Sequence, residues 1–111
     1  YNNVFTKCSD IKPLKVSYGD DPSYWVYTVL LHESVDRDSV LEELNNSGIN
    51  AGLVHVPNHN YTCFKDSYCD LPETEYFHRH QLSLPCGWWL SEEDVKEISS
   101  TVIKTVSKYH E

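Results

Sequence analysis

The chain has 111 residues, enough for one domain of ordinary size and too few for two. Hydrophobic residues make up 40% and charged residues 23%, which suits a folded domain and not a disordered one. Nine Lys and Arg against seventeen Asp and Glu leave a formal net charge of −8, which argues against nucleic acid or an anionic membrane as partner.

Residues 1–7 read as the last turn of a helix, without the layout of a signal peptide. No Met occurs anywhere, so the chain is expected to be cut from a longer one. Lys12-Pro13-Leu14 and Tyr18-Gly19-Asp20-Asp21-Pro22 form a stretch punctuated by turn residues. Tyr24–Leu31 is aromatic and β-branched and nearly continuous in its apolar character, which predicts a central strand covered on both faces. Asp36 is a good N-cap, Val40, Leu41 and Leu44 fall at helical spacing, and Gly48 sits where a left-handed C-terminal cap is wanted. Ile49–Val56 reads as a second strand, stopped by Pro57 because proline donates nothing to a ladder. Residues 57–71 are the least regular stretch. Pro72 opens a short helix with Glu73 and Glu75 near its N-terminus, and Gln81–Leu84 alternates as a third strand. In the last helix Ser91 caps, Glu92, Glu93 and Asp94 complement the dipole, and Val95, Ile98, Val102 and Val106 form one stripe. The order is β-α-β-(loop, short helix)-β-α. No run approaches the roughly 20 apolar residues of a membrane span.

Chemistry is harder to find. Cys8, Cys63, Cys69 and Cys86 form no CxxC pair, and the domain is large enough to fold without staples, so reduced thiols in a cytoplasmic protein are expected. The sequons Asn45-Asn46-Ser47 and Asn60-Tyr61-Thr62 point the other way, but such triplets arise readily by chance. Cys63-x5-Cys69 and His78-x-His80 do not have zinc-ligand spacing. Cys63 and Cys86 therefore read as small core residues, and His78 and His80 as surface residues. No nucleophile elbow, P-loop or dinucleotide fingerprint is present. None of the seven lysines reads as buried, so Schiff-base chemistry through lysine is not visible. Trp88-Trp89 reads as the apolar lead-in to the last helix, with an interface anchor as the alternative. The best site candidate is His55-Val56-Pro57-Asn58-His59-Asn60-Tyr61, which gathers imidazoles, amides and a phenol at the end of a strand. Such groups can hydrogen-bond a sugar hydroxyl or a phosphate oxygen.

Four blocks together carry a family resemblance. They are Tyr24-Trp25-Val26-Tyr27 with its strand, and Asp36-Arg37-Asp38 through Leu41, Leu44 and Gly48-Ile49, similar to an "RdxLxxxLxxxGI" helix. The third is the His55–His59 loop, similar to a strand followed by "P-x-H". The fourth is Leu82-Ser83-Leu84-Pro85-Cys86-Gly87-Trp88-Trp89-Leu90-Ser91-Glu92-Glu93-Asp94-Val95, similar to an "lsLPxxxxLseedv" ending. In this order, over nearly the whole chain, they resemble the C-terminal small domain of the DegT/DnrJ/EryC1/StrS family of PLP-dependent sugar aminotransferases.

The resemblance implies an α/β (α+β) domain with a small three-stranded, mainly antiparallel sheet and helices packed on it, as in fold type I aminotransferases. Residues 1–111 would be one domain of a longer enzyme whose N-terminal PLP-binding large domain is absent. That enzyme would move an amino group from an amino acid, commonly glutamate, to a keto group of a nucleotide-linked sugar, working as a homodimer. A related branch of the family uses PLP for sugar dehydration, so the two reactions stay open. By implication PLP belongs to the full-length enzyme, and these 111 residues lack the Schiff-base lysine and are inactive alone. Only the loop matches a family segment near substrate, which places His59 first, then His55 and Asn58, as sugar or phosphate contacts. Val56-Pro57-Asn58-His59 is an atypical version of that segment and leaves the substrate open. The competing expectation is a free-standing, non-enzymatic module that binds a protein or a carbohydrate.

Overall fold

The computed structural model describes residues 1–111. A four-residue helix, α1 (Asn2–Phe5), is followed by a short strand, β1 (Ile11–Pro13), and by β2 (Tyr27–Leu31). Helix α2 (Arg37–Asn46) comes next, then two 3-10 turns at Asn58–Asn60 and Thr62–Ser67. Helix α3 (Pro72–His80) runs directly into β3 (Gln81–Leu84), and α4 (Glu92–Lys108) closes the chain. The three strands form one antiparallel sheet in the order β1-β2-β3.

Strand β2 is central, as its apolar run predicts, and Tyr27, Val29 and Leu31 pair with Leu84, Leu82 and Ile11. Its polar member, Thr28, is buried and satisfied across the ladder by Ser83 Oγ at 2.9 Å. The strand begins at Tyr27 and not at Tyr24, because Tyr24 sits in the left-handed region at φ 46° and turns the chain out of the extended path.

The sheet differs from expectation in one strand. Ile49–Val56 is not a strand: Gly52 alone bridges to Ser83, through hydrogen bonds of 2.9 and 2.8 Å. Beyond that bridge the Gln81 side chain stands in for a backbone. Val54 N–H donates to its Oε1 at 3.0 Å, and its Nε2 donates to the His55 carbonyl at 3.1 Å. With those groups satisfied by an amide, the segment peels away from the sheet instead of continuing its ladder. The third strand comes from Ile11–Pro13, in the stretch that reads as turns. Its proline lies at the end of an edge strand, where a missing N–H is tolerated.

The helices form where their caps predict. Asp36 accepts from Ser39 N–H at 3.2 Å, and Gly48 follows α2 at φ 84°. Ser91 and Asp94 make a reciprocal capping box at the start of α4. Val40 and Leu44 of α2 and Val102 and Val106 of α4 are fully buried with Phe5, Val29, Leu31 and Leu82. A small core thus lies between the sheet and the two longer helices, leaving α3 and the 3-10 turns at the margin.

Candidate functional site

The loop from Val54 to His59 forms one wall of an open cleft of about 520 Å³. Leu71, Thr74, Phe77 and His78, at the start and along the length of α3, form the other wall. His55, Asn58 and His59 all line it, so the structure gathers the three residues singled out in the sequence. Pro57 is buried and fixes the bend from which Asn58–Asn60 turns.

Two pins set the spacing of the walls. Gln81, wholly buried at the start of β3, holds the Val54–His55 backbone. Arg37 of α2 donates through Nη1 to the carbonyls of His78 at 2.8 Å and Gln81 at 3.0 Å, which satisfies carbonyls at the end of α3. The cleft is thereby tied to the core through α2 and β3.

Beside it, His59 Nε2 meets Glu75 Oε1 at 2.9 Å, and Asn60 Nδ2 donates to the same oxygen at 2.7 Å. The Asn60 hydrogen bond, helped by the charges of nearby His59, Arg79 and His78, holds the Glu75 carboxyl below the usual carboxylate range. The His59 side chain is only 7% exposed, and Tyr68 tilts over its ring at 5.7 Å. His59 Nδ1 and His78 Nδ1 are buried and have no hydrogen-bond partner. Native interiors rarely leave such atoms unpaired, and on the walls of this cleft these two are the ones still able to take a hydrogen-bond partner.

Several of these participants are not apparent in the sequence. His78 is half-buried in the cleft wall, not a surface residue, because α3 turns that face toward the loop. Glu75, Asn60 and Gln81 act through contacts spanning 15 to 27 residues, with no local pattern to announce them. The spacing of Glu75 and His78, three residues apart on one helix face, is the one signal that could have linked them. Other readings change too. Cys63 is exposed and not in the core, whereas Cys86 packs against the core and donates weakly to the Tyr24 carbonyl. Trp88 and Trp89 are exposed and do not pack as a lead-in to α4.

All seven lysines are exposed, and neither a lysine nor a carboxylate lines the cleft. The donor set of imidazoles, an amide and a threonine hydroxyl does not fit PLP held through a Schiff base; it fits hydrogen bonding to a polar ligand. No helix is long and apolar enough to cross a membrane.

Comparison with known proteins gives a consistent result. The profile of the DegT/DnrJ/EryC1/StrS aminotransferase family matches residues 1–103. A curated relative, UDP-4-amino-4,6-dideoxy-N-acetyl-beta-L-altrosamine transaminase of Helicobacter pylori, is 27% identical over 113 aligned positions, in a match that covers 98% of this chain and 30% of that protein. Among solved structures, Helicobacter pylori PseC, an aminotransferase involved in the biosynthesis of pseudoaminic acid, superposes with a TM-score of 0.88 at 27% identity. The match covers 97% of this chain and 30% of that one. The aminotransferase TlmJ of Streptoalloteichus hindustanus superposes at 0.86 with 22% identity, over 96% and 29% of the two chains, and supports the fold. This chain therefore spans under a third of the length of these relatives.

Proposed function

The chain belongs to the DegT/DnrJ/EryC1/StrS aminotransferase family, and from that premise we propose that it is the C-terminal small domain of a longer PLP-dependent sugar aminotransferase. On this reading the cleft forms part of the site for a nucleotide-linked sugar. His59, His55 and Asn58 contact its sugar or phosphate groups. The observation that carries the proposal is the pair of unpaired imidazole nitrogens on the loop that the sequence already singles out.

PLP and its lysine belong to an N-terminal large domain, in keeping with a cleft that holds no lysine of its own. These 111 residues alone are then inactive. The full-length protein acts in the cytoplasm as a homodimer. It transfers an amino group, with glutamate as donor, to the keto group of a nucleotide-linked sugar destined for a surface polysaccharide or a secondary metabolite. The name of the Helicobacter pylori relative, a transaminase of a UDP-linked amino sugar, supports a UDP-linked substrate.

The test is transamination by the full-length protein with PLP and glutamate. Formation of 2-oxoglutarate that depends on a UDP-linked keto sugar is expected. Loss of water from the sugar without consumption of glutamate would assign the dehydration branch instead, and no reaction with any keto sugar nucleotide would overturn the proposal.

A further inference from the structure

Resting on the reading that the cleft takes the sugar portion of a ligand, we infer that Glu75 is a positioning residue. Seated by Asn60, it fixes His59 in the Nε2–H tautomer, so that Nδ1 becomes a hydrogen-bond acceptor for a ligand hydroxyl. An ionised carboxylate only accepts, and Glu75 Oε1 takes hydrogen bonds from Asn60 Nδ2 at 2.7 Å and from His59 Nε2 at 2.9 Å. The ring hydrogen therefore sits on Nε2, and in the neutral imidazole Nδ1 carries a bare lone pair.

That nitrogen is closed off from solvent and has no partner. The His59 side chain is only 7% exposed. The group that completes the neutral ring at Nδ1 must donate, as a sugar hydroxyl does and a phosphate oxygen with no hydrogen does not. His78 places a second unpaired ring nitrogen on the opposite wall of the same cleft. Two such atoms suit a ring bearing several hydroxyls. Tyr68 lies against the His59 ring and is itself 59% exposed.

The tautomer is read directly from ring correlation spectra of the 15N-histidine-labelled protein at neutral pH, which separate the two neutral forms and the imidazolium. His59 is expected as Nε2–H in the wild type. It should stay so in Glu75→Gln, whose amide oxygen still accepts, and become a mixture in Glu75→Ala. Dispersed amide spectra check the fold of each variant. A wild-type ring protonated at Nδ1 overturns the inference without any variant, and an unchanged tautomer in a folded Glu75→Ala does the same. UDP-N-acetylglucosamine and sulfate, an anion with no hydrogen to donate at neutral pH, are then titrated separately. The sugar nucleotide should move the Nδ1 resonance and bind about tenfold more weakly to Glu75→Ala, the loss expected for one misdirected hydrogen bond. A Nδ1 shift with sulfate alone overturns the hydroxyl assignment. If neither probe moves Nδ1 while the Nε2–H form persists, the reading of the cleft as a sugar site fails and the tautomer control by Glu75 stands.

Discussion

Gln81 is fully buried at the head of β3 and uses both ends of its amide, one to accept from Val54 and one to donate to His55. A buried amide that lost these partners would leave backbone groups of the cleft wall unsatisfied. Gln81→Ala should destabilise the protein by about 2 kcal/mol in urea denaturation, two hydrogen bonds of ordinary strength. Gln81→Glu should be worse than a neutral change at neutral pH, because a carboxylate cannot donate to the His55 carbonyl. A second residue-scale consequence concerns Tyr1 and Tyr27, whose rings lie 4.8 Å apart. Burial, with Cys86 and neighbouring tyrosines adding to it, pushes both phenols up to about 12 from 10.0. Because the folded values lie above the unfolded one, their contribution to stability is complete below pH 10 and is lost as pH rises toward about 12. Phenolate absorbance should show two of the eight tyrosines ionising late, and all eight near 10 once the protein is denatured.

At the scale of elements, the helices are where local chemistry and tertiary structure agree. α4 needs only its own residues to be located: Ser91 accepts from Asp94 N–H, and Asp94 accepts from Ser91 N–H at 2.8 Å. Hydrogen bonds from Ser91 hold the Asp94 carboxyl below its ordinary value, so the box is intact above the carboxylate range and lost as pH falls through it. Ser91→Ala should cost about 1 kcal/mol by thermal or urea unfolding, with the loss shrinking in acid as Asp94 takes up a proton. The strands divide differently. β2 is legible because residues buried on both faces leave an uninterrupted apolar run. The segment 49–56 carries the same signal, yet beyond the Gly52 bridge the Val54 hydrogen bond goes to a side chain 27 residues away. Ile11–Pro13 is a strand only because β2 offers it an edge. Periodicity reports which faces are buried; it does not report which partner supplies the hydrogen bonds.

For the whole molecule, the accessible surface is 7759 Å², against roughly 6,300 Å² for a compact monomer of this mass. The radius of gyration is 15.2 Å where about 13 Å is usual for this length. Only 19 of 111 residues are buried, and Trp25, Trp88 and Trp89 are 71%, 93% and 64% exposed. Exposed tryptophans of this kind are the surface that the proposed large domain or second subunit would cover. Tryptophan emission of the 111-residue chain should therefore lie at the water-exposed limit and move to shorter wavelength in the full-length protein. Unshifted emission in the full-length protein would remove this surface from the proposed interface.

The order of the helices, the central strand and the family were already determined by the sequence. Caps, helical stripes and a run of β-branched and aromatic residues act over a few neighbours, and the family motifs lie within short blocks. The tertiary structure alone decided which segment completes the sheet and which groups hold His59. Both depend on contacts between distant residues, Gln81 with Val54 and His55, Glu75 with His59 and Asn60. A single hydrogen bond between segments far apart leaves no periodic trace along a chain, so only the folded arrangement reveals it.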